Sequence, residues 1–240
     1  MSPVTMNPVT LSGPWMEFDL GTEMQVLSWA MLRPGFTRAR RILWREVRNA
    51  DLTPEFDVAT WLSAELAARD ADDAVTFLTS RDIRRYTEQT AQVGGTVAHA
   101  VATTGLSNAE RVGHRLDRAG ADWGTINVAL RIDAAMTEAA LLEAMSIAVQ
   151  ARTAAVMDAG LALPTGVATG TGTDCVAVAS HGGDRPYAGL HTEIGEAAGR
   201  AVYEAVSRGA QDWMQTYGRG AQPLPRSAGP LSPVAERKDS

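Results

Sequence analysis

Three polar, glycine-punctuated segments carry the side chains best suited to chemistry: Thr104-Gly105-Leu106-Ser107-Asn108-Ala109, Thr169-Gly170-Thr171-Gly172-Thr173-Asp174, and Tyr187-Ala188-Gly189-Leu190-His191-Thr192-Glu193-Ile194-Gly195-Glu196. A fourth, Gly124-Thr125-Ile126-Asn127, is shorter. The side-chain amides of Asn108 and Asn127 are of the kind that orient an amide or stabilise an oxyanion. The hydroxyls of Thr104, Thr169, Thr171 and Thr173 both donate and accept. Asp174 stands at the mouth of a strand, and strand ends border the clefts of layered folds. The imidazole of His191 suits the role of general base or ligand.

Each also has a structural reading. Thr192 caps a helix whose first turn holds Glu193 and Glu196, and carboxylates there complement the helix dipole by about 0.3–1 kcal/mol each. Glu196 also stands one turn from Arg200. Asp174 and Asn108 are turn formers. Asn127 is harder to dismiss, because it interrupts an apolar strand and a buried amide needs partners. His99 reads as a core histidine, and His114 and His181 lie in polar loops. A metal assembled from His191, Asp174 and Glu196 has no ligand spacing behind it. The threonine-glycine loop lacks the Gly-Lys-Ser/Thr ending of a phosphate loop, no Gly-x-Ser-x-Gly elbow occurs, and Cys175 reads as packing.

The elements that must position these groups alternate. Trp15 to Leu20 and Met24 to Leu32 flank Gly21-Thr22 and read as a hairpin. Thr37 to Val47 fits strand or helix. Pro54 to Asp70 has helical apolar spacing, with Thr53 as cap. Ala74 to Thr79 and Thr96 to Thr103 read as strands, the second with Val97, His99 and Val101 on one face and alanines on the other. Gly124 to Ile132 is a strand before a long helix capped by Thr137, with a stripe of Leu141, Leu142, Met145, Ala148, Val149 and Val156, ending at Gly160. The unit repeats as Asp174 to Ser180 and a helix from Thr192 burying Ile194, Ala198, Ala201, Val202, Ala205, Val206 and Trp213. The expected architecture is α+β, or mixed α/β, in a single-domain layered sandwich of sheet and helices over residues 14–218. Residues 1–13 and 219–240 read as disordered arms.

A chain of 240 residues, 45% hydrophobic, supports one sizeable core. Its net charge of −6 disfavours nucleic acid and anionic lipid as partners. One cysteine excludes an intrachain disulfide framework and any multi-cysteine zinc site. The opening residues lack the pattern of a secretion signal, and no window approaches the roughly 18 apolar residues that would span a bilayer. The expected setting is cytoplasmic.

The order and spacing of the polar words resemble the adenosylcobinamide amidohydrolase family over roughly Ser28 to Ala210. They comprise the four segments above with Arg111, Gly113, Gly199 and Ala201-Val202-Tyr203-Glu204-Ala205. The resemblance implies hydrolysis of the amide joining the aminopropanol arm to the corrin ring, giving adenosylcobyric acid for cobamide salvage and remodelling; some members also accept complete cobamides. It implies a corrinoid small-molecule substrate and calls for no separate cofactor. Within it, His191 or Glu196 transfers the proton, Asp174 orients, and Asn108, Asn127 or Thr104 polarises the carbonyl, with Thr171 and Thr173 at the substrate. The chain departs from the pattern at Trp44, where asparagine is usual, and at Gln150-Ala151-Arg152, where Glu-Ala-Lys is usual. Those departures keep open a non-catalytic corrinoid binder or regulator, and the loops also suit an amidohydrolase for another amide.

Overall fold

The computed structural model describes residues 8–48, 55–117 and 124–218. In chain order the elements are β1 (Val9–Ser12), β2 (Trp15–Ser28), β3 (Gly35–Glu46), α1 (Val58–Ala67), β4 (Val75–Thr79), β5 (Thr87–Val93), β6 (Thr96–Thr104), β7 (Ala109–Glu110), β8 (Ile126–Met136), α2 (Glu138–Ala159), β9 (Ala162–Leu163), β10 (Gly166–Val167), β11 (Gly170–Thr171), β12 (Cys175–Gly182) and α3 (Glu193–Tyr217). One eight-stranded mixed sheet runs β4-β3-β2-β12-β8-β6-β5, with β1 on β2. The fold is α+β, as the patterning implied.

Strand alternation assigns the two faces. Ile126, Val128, Leu130 and Ile132 of β8, with Ala98, Ala100 and Ala102 of β6, pack under α2 and α3. The small β6 side chains let the helices lie close. Leu43 and Trp15 point to the same side and meet Leu62 and Leu66 of α1. The opposite face carries Met16, Phe18, Ile42, Trp44, Phe77, Val101, Ala129 and Ala177 in one cluster. It buries itself by folding over: β2 shifts register against β3 between Asp19 and Met24, and a bulge of this kind bends a strand. Phe18 of β2 thereby meets His99 of β6 with ring centroids 5.1 Å apart, two strands having been skipped.

That bend overturns the hairpin expected about Gly21-Thr22, because both halves belong to β2 and the true hairpin partner is β3. The stretch 37–47 resolves as strand. Asp57 caps α1 by accepting from the Thr60 amide at 3.0 Å, and Glu55 to Asp57 are not helical; Thr53 and Pro54 lie outside the described residues. The N-terminal arm was drawn too long, since β1 pairs with β2 and Val9 is 4% exposed. Residues 1–7 and 219–240 lie outside the described residues. Strand β5 was not foreseen, because its Thr-Glu-Gln-Thr run is polar at an edge.

The long helix matches its caps, with Thr137 accepting from the Ala140 amide at 3.2 Å and Gly160 closing the far end. Leu142 leaves the expected stripe and is 53% exposed. By length and composition α2 meets the test for a bilayer span, contrary to the reading of the sequence. Its Leu141, Ala144, Ala148, Ala155 and Val156 are nonetheless packed in the core against the sheet and α3. Strands β8 and β12 run parallel, so β8-α2-β12-α3 is a strand-helix repeat in which every strand begins at one end of the sheet and every helix at the other.

Candidate functional site

At the end where β8 and β12 begin, three of the four polar segments interlock. Strand β11 pairs with β7, aligning Thr171 with Ala109. Asn108, 2% exposed, accepts from the Gly124 amide at 3.0 Å through Oδ1 and donates to Thr173 Oγ1 at 3.3 Å. Thr173 donates to the Gly124 carbonyl at 2.8 Å, and Thr125 donates to the Thr173 carbonyl at 2.8 Å. A Cβ at Gly124 would stand 2.7 Å from the Ser107 amide nitrogen, so glycine there is what lets the two loops touch.

Asp174 is the hub. Its Oδ1 accepts from Thr171 Oγ1 at 2.5 Å and from the Ile126 amide at 3.1 Å. Its Oδ2 accepts from the Thr171 amide at 2.9 Å and from Arg152 Nη1 of α2. The pair is buried, with side-chain exposures of 12% for Arg152 and 6% for Asp174. A Cβ at Gly170 would lie 2.6 Å from the Asp174 carboxylate, so a larger residue there would displace the Asp174 and Arg152 side chains from the hub. Burial lowers the Arg152 pKa from its ordinary value, and its Nε has no partner. The bond to Asp174 places one of the two departures from the family pattern within the site; the other, Trp44, is buried edge-on to Phe77 in the inner core.

Two expected site residues also contact the frame. Asn127 is 1% exposed and donates to the Leu78 carbonyl of β4 at 2.7 Å. Thr104 faces α3, where a Cβ at Gly209 would meet its Oγ1 at 2.5 Å. The fourth segment lies at the other end of the sheet. Thr192 caps α3 by accepting from the Gly195 amide at 2.9 Å, and Glu193 reaches the Gly95 amide in the β5–β6 turn at 3.3 Å. Glu196 pairs with Arg200 at 2.6 Å on an exposed face. His191 is exposed, beside Tyr187 and Leu190 at 67% and 65%. Strand β12 separates the two ends by roughly 23 Å at about 3.3 Å per residue. The structure therefore does not bring His191 and Glu196 to Asp174, and the four segments form two groups.

Trp29 was missed by sequence reasoning. It follows the last residue of β2 and donates its indole N–H to the Asp174 carbonyl at 2.8 Å while staying 46% exposed. Only its position in an apolar run signalled it, and such runs usually mark core. Among the described residues no group of three or more His, Cys, Asp and Glu side chains is placed to hold a metal ion. Cys175 follows the hub, and burial pushes its thiol up to about 11.

A curled mixed sheet with helices on one face, and a lattice of amide, hydroxyl and carboxylate groups where its parallel strands begin, defines an α+β protein with a loop-built polar site. The family profile of adenosylcobinamide amidohydrolase (CbiZ) matches residues 6–218, and the chain belongs to that family. No curated protein matches it.

Proposed function

We propose that this protein hydrolyses the amide between the aminopropanol arm and the corrin ring of adenosylcobinamide, yielding adenosylcobyric acid, and that complete cobamides are also substrates. The family assignment supports an adenosylcobinamide amidohydrolase. The observation that carries the choice of centre is the 2.5 Å contact of Thr171 Oγ1 with Asp174 Oδ1 at the interlocked loops. A hydroxyl, a carboxylate base and a third group orienting the base form the arrangement of an activated nucleophile. In this reading Thr171 Oγ adds to the amide carbon as Asp174 takes its proton. The C–N bond then breaks as the proton passes to the leaving amine, and water cleaves the acyl-threonine ester to restore the hydroxyl. Arg152 orients Asp174, and Asn108 fixes Thr173 beside it. The working compartment in this reading is the cytoplasm.

Incubation of the purified protein with adenosylcobinamide, followed chromatographically for adenosylcobyric acid, tests the reaction. Thr171→Val and Asp174→Asn are expected to lower turnover by about 10² or more. Binding without product would leave a corrinoid-binding relative, and neither binding nor product would point to another amide. A second reading places proton transfer at His191, favoured by its exposure between Tyr187, Leu190 and the start of α3. The two centres are too far apart to act on one bond, so single variants at each separate them.

A further inference from the structure

The connection between β2 and β3 and the start of β3 expose three large apolar side chains: Trp29 at 46%, Met31 at 53% and Phe36 at 41%. It is also held rigidly. Arg33 adopts φ 59°, a left-handed conformation costly for a residue with a side chain. Its guanidinium ties the connection down, donating to the Asp72 carbonyl at 3.1 Å, to Thr37 Oγ1 at 2.7 Å and to the Arg38 carbonyl at 2.8 Å. Ala30 and Leu32 of the same connection pack toward the core, whereas Trp29 and Met31 stay exposed on this tethered backbone, and exposed apolar groups so held suit a contact outside the fold.

One bond gives the platform a direction. The Trp29 indole N–H on the Asp174 carbonyl fixes that ring at the rim of the Thr171–Asp174–Arg152 centre. We infer that Trp29, with Met31 beside it, is the platform on which the flat macrocycle of the corrinoid rests while its side-chain amide reaches Thr171. This inference rests on the reaction centre proposed above. Indole and thioether are suited to a broad polarisable face, and a ring anchored before binding loses little freedom on contact. Trp29 is a positioning residue: it sets where the disc lies and takes no part in the proton transfers.

The test pairs steady-state hydrolysis of adenosylcobinamide with corrinoid binding followed by the visible absorption of the corrin. For Trp29→Ala, KM and Kd are expected to rise roughly tenfold or more, the scale of one lost aromatic stacking contact, with kcat within about twofold. Trp29→Phe, which keeps an aromatic face but loses the anchoring N–H, should recover only part of the affinity, and Met31→Ser, at an exposed site, should raise KM without altering the melting temperature. Unchanged KM and Kd in Trp29→Ala and Met31→Ser, with an active parent protein, would overturn the platform and leave the amidohydrolase reading intact. So would loss of a self-associated form in those variants at unchanged KM, which would make the surface a contact between copies. A parent protein that neither binds nor hydrolyses the corrinoid would overturn both.

Discussion

The side-chain amide of Asn127 in β8 donates to the backbone carbonyl of Leu78 in β4 across 2.7 Å, although three strands stand between β8 and β4 in the sheet. The bond is possible only because the sheet folds over its own inner face, and it pins that fold where the polar loops gather. Asn127→Ala should destabilise the protein by about 1–3 kcal/mol, since it strands a buried carbonyl. Urea unfolding checks this, and a change near zero would show that the closure holds without the strut.

Removing one member of the Arg152–Asp174 pair leaves an uncompensated charge in a buried site. Arg152→Met should therefore cost about 3–5 kcal/mol, and pairing it with Asp174→Leu should recover part of that loss. A double-variant unfolding cycle measures the coupling, and additive losses would mean the two side chains act independently. Arg152→Lys retains one charged donor and should retain most of the stability.

The separation of His191 from Asp174 makes the two candidate centres distinguishable by rate. With the reaction at Thr171 and Asp174, His191→Ala should turn over adenosylcobinamide within about threefold of the parent, far short of the losses that removal of an acid–base group brings. A fall of about 10² or more in kcat with unchanged corrinoid affinity would move the chemistry to the start of α3.

The Cys175 thiol is pushed up to about 11 by burial, from an ordinary value of 9.0. The folded state keeps a proton that the unfolded chain releases, so this contribution is whole below pH 9 and is lost as pH climbs through about 11. Urea midpoints taken across that window should fall more steeply for the parent than for Cys175→Ala. Parallel curves would show the thiol to be uncoupled from folding.

The legible parts of the sequence were those written in local periodicity. Thr137 and Gly160 announced both ends of α2, and the alternation of Val97, His99 and Val101 with alanines announced β6. The bend in β2 was not legible, because Gly21-Thr22 reads the same in a turn and in a bulge and only the partner strand decides. The composition of the loops at Asn108, Thr173 and Asp174 marked them as polar and close-packing, whereas their interlocking rests on contacts between distant segments. The separate position of His191 was not read, since the sequence reading grouped it with Asp174, although a loop that enters a strand and a loop that enters a helix fall at opposite ends of a strand-helix repeat. Trp29 and the Asn127 strut depend on contacts between distant segments, to which periodicity is blind.

Strand β12 occupies the middle of the sheet, between β2 and β8, yet it is the last strand among the described residues. Until residue 182 has left the ribosome, β1 to β4 form one sheet and β5, β6 and β8 another, with β2 unpaired along Gln25–Ser28 and β8 unpaired along the edge that β12 will join. Such edges are templates for pairing with other chains. A product ending before β12 would leave those stretches of β2 and β8 open to pairing with other chains, and only the arrival of the central strand closes the sheet.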